Sequence, residues 1–173
     1  PGVSRDELNR FLQPHGLFFG PKTSTSNRAM IGGMVGNNSS GTTSIRYGVT
    51  RDHVLQVKAL LSDGSEVTFG DLSEKEWEGK RKAPGREGEI YRFLLDSLSD
   101  AGVQEKIRKH FPKPEIHRRN TGYALDALLD QRPFLPKGDP LNICKLLAGS
   151  EGTLALITEI KLRLSLLPPP AET

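Results

Sequence analysis

The sequence predicts an α+β fold, an antiparallel β-sheet flanked by helices, and three observations carry that prediction. Residues 154–164 alternate as a long strand does, with Leu154, Leu156, Thr158, Ile160, Leu162 and Leu164 on one phase. Two β-type runs, 54–61 and 66–69, lie on either side of Asp63-Gly64, the signature of a hairpin turn. Apolar residues at helical spacing stand between the strand runs without the regular β-α-β alternation of a parallel sheet. At 173 residues the chain suits one domain around a single core.

In chain order, Ser4-Arg5-Asp6-Glu7 reads as a capping box, and Leu8, Phe11 and Leu12 follow at helical spacing, so a short helix is expected over about 5–13. Pro14 and Gly16 end it. Leu17-Phe18-Phe19 is a brief buried strand or the approach to one, and 20–27, which has hydroxyls and turn formers and no apolar period, is a loop. After the hairpin, residues 71–89 are charged, carry Pro84 and lack a period, which predicts a surface excursion. Ile90, Phe93, Leu94, Leu95 and Leu98 mark an amphipathic helix closing near Gly102, and 103–111 a second short one that Pro112 stops. A short helix is expected over 124–129, a proline-rich loop to Asp139, and helical spacing again from Leu141 through Cys144 to Leu147. Gly149-Ser150-Glu151-Gly152-Thr153 is a glycine loop ahead of the last strand.

Composition excludes several functions. With 24 basic and 21 acidic residues the net charge is only +3, and the basic residues are not interleaved with aromatics, which argues against nucleic acid. No run approaches the ~18 apolar residues of a membrane span, and the first residues have no signal-peptide character. Cys144 stands alone, so there is neither an internal disulfide nor a spaced zinc set, and a reducing, cytoplasmic setting is expected, with peripheral membrane association of a parent protein left open. The start at Pro1 and the Pro168-Pro169-Pro170 ending directly after a strand-like run are what a piece of a larger protein would have; a processed mature chain is the alternative.

The stretch Ile31-Gly-Gly-Met-Val-Gly-Asn-Asn-Ser-Ser-Gly41 is unusually bare of side chains. Gly36 and Gly41 have the spacing of a P-loop, but Thr42 stands where the phosphate-binding lysine is needed, and Gly32-Gly33 does not make the dinucleotide fingerprint. The overlapping sequons at Asn37 and Asn38 are chance matches without a secretory signal. Two readings stand. Glycines let backbone N–H groups approach a flat or anionic ligand while Asn and Ser supply short donors, or a helix packs closely through Gly32, Gly33 and Gly36 and ends in an ordinary turn.

Three separated segments are more specific: P-K-T-S-T-S-N-R-A-M-I-G-G-M-V-G-N-N-S-S-G from Pro21 with R-Y-G at 46–48, R-N-T-G-Y-A-L-D at 119–126, and L-L-A-G-S-E-G-T-L-A-L-I-T-E-I-K-L at 146–162. In this order they resemble the FAD-binding (PCMH-type) domain of vanillyl-alcohol-oxidase type flavoproteins. The resemblance is nearest to the FAD-linked D-2-hydroxyacid dehydrogenases of D-lactate, glycolate and D-2-hydroxyglutarate, in wording most like the long members that carry iron–sulfur modules. It spans nearly all of 1–165 except the charged excursion. What it implies is the second, α+β part of the FAD domain, with the pyrophosphate-loop part and the substrate cap outside the chain.

By the same resemblance, Ser24, Thr25, Ser26, Asn27 and Met30 line the FAD, and Gly32 and Gly33 let a helix start close to it. Asn37, Asn38, Ser39, Ser40 and Gly41 pass donors near the flavin and pyrophosphate. Tyr47 and Gly48 contribute from the following turn, and Glu151, Gly152 and Ile157 from the start of the last strand. Glu151 either caps its own turn or bonds the adenosine end, and Asn120 and Tyr123 either fix a loop or join the site. Lys22 departs from the acidic residue often found in relatives. No catalytic residue or metal ligand carries over; His15, His53, His110 and His117 are expected at surface or helix-end positions and Cys144 in the core. The parent is expected to oxidise a D-2-hydroxyacid and pass electrons from FAD to a separate acceptor or iron–sulfur centre; the competing reading is a non-redox module using the same loops. The isolated chain is expected to fold, to be inactive and to hold FAD weakly.

Overall fold

The computed structural model describes residues 1–113, 115, 116, 119 and 122–168. Helix α1 (Arg5–Leu12) begins at the expected capping box, where Ser4 N–H donates to the Glu7 carboxylate at 3.1 Å and Glu7 N–H returns to Ser4 Oγ at 3.4 Å. A 3₁₀ turn follows and Gly16 leaves it at φ 68°. Strand β1 (Leu17–Phe18) then turns the fully buried Phe19 inward. Helices α2 (Ile31–Asn37), α3 (Ser44–Tyr47) and α4 (Thr50–His53) lead to β2 (Val54–Leu60) and β3 (Glu66–Gly70). Beyond them lie α5 (Glu74–Lys82), α6 (Gly85–Ser99), α7 (Ala101–His110), α8 (Leu125–Leu129) and α9 (Cys144–Leu147), then β4 (Leu156–Leu162) and β5 (Ser165–Leu166).

The expected antiparallel sheet forms in the order β3-β2-β4, with Val57 opposite both Phe69 and Ile160. β1 and β5 make a separate two-stranded ladder. The main core lies between the sheet and α6–α9, where Val57, Phe69, Tyr91, Leu95 and Leu128 are buried. A smaller cluster of Phe19, Ile31 and Met34 sits under α2, and Ile160 and Leu162 of β4 pack against both. Cys144 is buried in the main core, and burial pushes its thiol up to about 12.

Four expectations are corrected. The excursion at 71–89 contains α5 and the start of α6: Ser73 N–H donates to Glu76 at 2.7 Å in a second capping box, and Trp77 alone anchors the helix. One apolar residue in nine has no period to read. The 90–102 helix ends at Ser99 because Asp100 accepts from Val103 N–H at 2.9 Å and starts α7, leaving Gly102 inside the next helix. Leu141 bridges to Leu72 instead of joining α9. The alternation of β4 breaks phase, because Lys58 pairs with Glu159 and Ala59 with Ile157, leaving Thr158 as the extra residue of a bulge. Ala155 and Ile157 therefore point into the core before it, Ile160 and Leu162 after it, and Leu156 is exposed.

A candidate cofactor surface

The glycine-rich stretch folds as α2 and its C-terminal turn. Asn38 takes the left-handed conformation at φ 51°, and Ser39 N–H returns to Met34 O at 2.8 Å, the closure of a Schellman turn. The helix's last carbonyls are taken up by the second glycine loop: Gly149 N–H donates to Val35 O at 2.9 Å and Glu151 N–H to Gly36 O at 2.9 Å. Two segments more than a hundred residues apart thus share one backbone ladder. Asn37 Nδ2 adds a bond to Glu151 Oε1 at 2.9 Å on the exposed side.

This ladder leaves a strip without side chains. A Cβ at Gly36 would lie 3.7 Å from Glu151 Cα and 3.9 Å from Gly152 N, so the two backbones touch there. Gly33, three residues earlier and hence on the same helical face, has nothing within 4 Å of a built Cβ; Gly152, at φ 75°, has nothing either. Bare backbone flanked by the exposed Asn37 and Glu151 is a surface that a flat polar ligand can approach closely.

The other expected site residues fall into three groups. Ser24, Thr25, Ser26 and Asn27 form the turn before α2, where Ser26 Oγ is spent on Asp6 at 2.9 Å while Ser24 and Asn27 are exposed. Met30, 56% exposed, stands at the head of α2, and Gly32 packs on Pro1, donating to its carbonyl at 2.9 Å. A second group is structural in its contacts. Asn38 is buried with its Oδ1 accepting from Arg51 N–H at 2.8 Å, and Ser39 O accepts from Thr50 Oγ1 at 2.7 Å. Ser40 is half-buried, and a Cβ on Gly41 would overlap the Lys22 carbonyl. The third group makes its contacts elsewhere: Tyr47 stacks edge-on to Phe18, Gly48 turns at φ 73°, and Ile157 is half-buried against the main core. Tyr123 Oη meets Thr153 Oγ1 at 2.7 Å beside the second loop; Asn120 and His117 lie outside the described residues.

Arg51 and His53 were not read from the sequence as members of this arrangement. Arg51 is buried, and its guanidinium donates to Ala148 O at 2.6 Å and Lys145 O at 2.9 Å. Burial pulls its pKa below the usual value, with Arg119 adding to the shift and Asp126 and Asp52 opposing it. His53, expected at the surface or a helix end, is the last residue of α4 and buried, with Nδ1 2.9 Å from Arg163 O and Nε2 2.6 Å from Tyr47 O. A charged or imidazole side chain inside a four-residue helix carries no periodic signal; only the turn chemistry of R-Y-G ahead of it points to the neighbourhood.

Residues 1–70 match the FAD binding domain family. A D-2-hydroxyglutarate dehydrogenase of Pseudomonas putida is 39% identical over 167 residues, 96% of this chain and 16% of that protein, and the Escherichia coli K12 protein of the same name is 38% identical over the same span. Glycolate oxidase subunit GlcD of Bacillus subtilis is 33% identical over 119 residues, 68% of this chain and 24% of its own length. The chain belongs to the FAD-binding domains of the FAD-linked D-2-hydroxyacid dehydrogenase type. It spans about a sixth of the length of the D-2-hydroxyglutarate dehydrogenases it matches. For this FAD-binding domain the cofactor is FAD, and at Gly33 and Gly152 none of the described residues lies within 4 Å of the position a Cβ would take, so a flat ligand has room there. Among the described residues no group of His, Cys, Asp or Glu is arranged to hold a metal, and no helix is long and apolar enough to cross a membrane.

Proposed function

We propose that this chain supplies the α+β half of the flavin site in a longer dehydrogenase that oxidises a D-2-hydroxyacid, the remaining pyrophosphate contacts and the substrate cap lying outside it. D-2-hydroxyglutarate, named for the relatives that align over 96% of the chain, is the first substrate to try. FAD, when bound, supplies the two-electron acceptor; the onward acceptor, an iron–sulfur centre included, belongs to other parts of the protein.

The observation that carries this reading is the glycine strip where α2 and the 149–152 turn share backbone bonds. Gly33 and Gly152 admit the cofactor, Gly36 lets the 149–152 turn lie against α2, and Gly32 gives α2 its close start. Asn37 and the free oxygen of Glu151 offer a donor and an acceptor beside it. Ser24, Thr25, Asn27 and Met30 edge the surface, Ser26 contributes through its backbone because its hydroxyl holds Asp6, and Asn38, Ser39, Ser40 and Gly41 shape the turn. For Tyr47, Gly48 and Ile157 the support is the family resemblance alone. Preorganised donors of this kind favour the negative charge that a reduced flavin collects.

Purified full-length protein should carry flavin, and anaerobic D-2-hydroxyglutarate should bleach its visible absorption while the L-isomer does not. A colourless protein that takes up no added FAD would refute the cofactor reading; a flavoprotein that no D-2-hydroxyacid bleaches would refute the substrate class. The 173-residue chain alone should fold yet bind FAD no better than micromolar, because each missing charge-assisted hydrogen bond removes about 1.5 kcal/mol or more. Submicromolar binding by flavin fluorescence titration would show that the half-site reading is wrong.

A further inference from the structure

We propose that Arg51 is a positioning residue for the cofactor surface, acting through the Ala148–Gly152 turn without touching the ligand; the inference rests on the cofactor reading above. The side chain ties together three parts of the chain that are remote in sequence. Nε donates to Lys145 O at 2.9 Å and Ala148 O at 3.2 Å, and Nη2 to Ala148 O at 2.6 Å and Gly122 O at 3.4 Å. Its own backbone N–H holds Asn38 Oδ1 at 2.8 Å, at the residue whose left-handed conformation ends α2. One residue therefore grips the end of the first glycine loop by its backbone and the root of the second by its guanidinium.

The burial argues that this grip has a purpose beyond stability. Arg51 is 6% exposed, and among the described residues its side-chain hydrogen bonds go to carbonyls and none to a carboxylate. Taking a cation out of water is costly, and apolar packing of similar volume is often as stable or more so. A planar fork addressing several carbonyls at once fixes their mutual placement, which neither an aliphatic side chain nor the point charge of lysine does. The second loop leaves it room: at Gly149, whose φ of 97° by itself calls for glycine, a Cβ would lie 2.7 Å from Nη2 and 3.0 Å from Gly122 O. What the fork sets is the separation of α2 from the turn, and on that separation depend the Glu151 N–H to Gly36 O bond, the Asn37–Glu151 contact and the width of the bare strip.

The test compares Arg51 with Arg92, a second arginine that donates to carbonyls, Arg81 O at 2.8 Å and Ala83 O at 3.0 Å, between α5 and α6. Apoprotein prepared from the full-length wild type, Arg51→Lys, Gly149→Ala and Arg92→Met is titrated with FAD, its thermal midpoint is measured without FAD, and the visible spectrum of bound flavin is recorded. Arg51→Lys and Gly149→Ala should each weaken FAD binding by tenfold or more at a temperature where both are folded, and shift the flavin bands. Arg92→Met should lower the apoprotein midpoint and leave affinity within twofold. Arg51→Met serves as a more severe variant, and its failure to fold alters nothing in this comparison. Wild-type affinity and spectrum in Arg51→Lys, or a loss of affinity that merely follows midpoint in all variants, overturns the positioning role while the cofactor reading stands. A wild-type apoprotein that takes up no FAD overturns both.

Discussion

The helical layer formed by α6 and α7 and the surface around α2 are held by opposite kinds of contact. In the first, Tyr91, Leu95, Leu98 and Ile107 are buried against the sheet, and the polar contacts are peripheral pairs such as Arg81–Asp96 at 2.7 Å. In the second, the apolar cluster has three buried members, Phe19, Ile31 and Met34, and placement is set by hydrogen bonds from Thr50, Arg51, Gly149 and Glu151. Apolar packing is non-directional and tolerates many shapes, whereas a ladder of donors and carbonyls specifies distances to a few tenths of an ångström. A surface that must stay polar, bare of side chains and correctly spaced is built by the second method.

The comparison breaks if truncation in the helical layer is mild. Leu95→Ala removes a buried side chain from the main core and should cost about 2–5 kcal/mol in urea unfolding; a loss below about 1 kcal/mol would mean that α6 does not carry the core. On the other surface Thr50→Val keeps shape but deletes the 2.7 Å bond to Ser39 O, while Thr50 N–H still donates to that carbonyl at 3.1 Å. The expected loss is about 1 kcal/mol, and the same urea titration should give it; several kcal/mol would mean that the site side is as packing-dependent as the core.

Gly33→Val sharpens the distinction. With nothing within 4 Å of its Cβ position, the apoprotein midpoint should move by at most about 0.5 kcal/mol of equivalent stability, since valine is the better helix former. Flavin content of the purified full-length protein should nonetheless fall. Full flavin occupancy in this variant would count against Gly33 facing the cofactor. The smallest effect is expected for Tyr91→Phe: its hydroxyl is buried with no hydrogen-bond partner among the described residues, and burial holds its pKa well above the ordinary tyrosine value. Removing it should be neutral or stabilising by no more than about 0.3 kcal/mol in thermal unfolding; a clear destabilisation would reveal a hydrogen bond at that oxygen.

How much was legible depends on the range of the interaction involved. Ser4 and Glu7 are three residues apart and announce α1, and Asp63-Gly64 announces the hairpin because its φ 82° turn is a local requirement. Helix α5 escaped because its capping pair Ser73 and Glu76 sits in a run of charges with Trp77 as the single apolar anchor. The phase of β4 escaped because the bulge at Thr158 is a property of its pairing with β2 and not of its own residues. For the site, the glycines and the short polar residues marked both loops, but nothing in either loop names the other.

From residues alone follow the elements whose signals are local, the antiparallel α+β class, the burial of Cys144 and, through three ordered motifs, the FAD-binding family. Tertiary structure alone decided which glycine serves which purpose: Gly149 clears Arg51, Gly41 clears the Lys22 carbonyl, Gly36 meets Gly152, and Gly33 is left open. It also decided that Arg51 and Asn38 belong behind the surface while Asn37 and Glu151 stand on it. The reason is physical. A glycine in sequence states only that no Cβ is present, and what would have met that Cβ is known only once separate chain segments have been brought into contact.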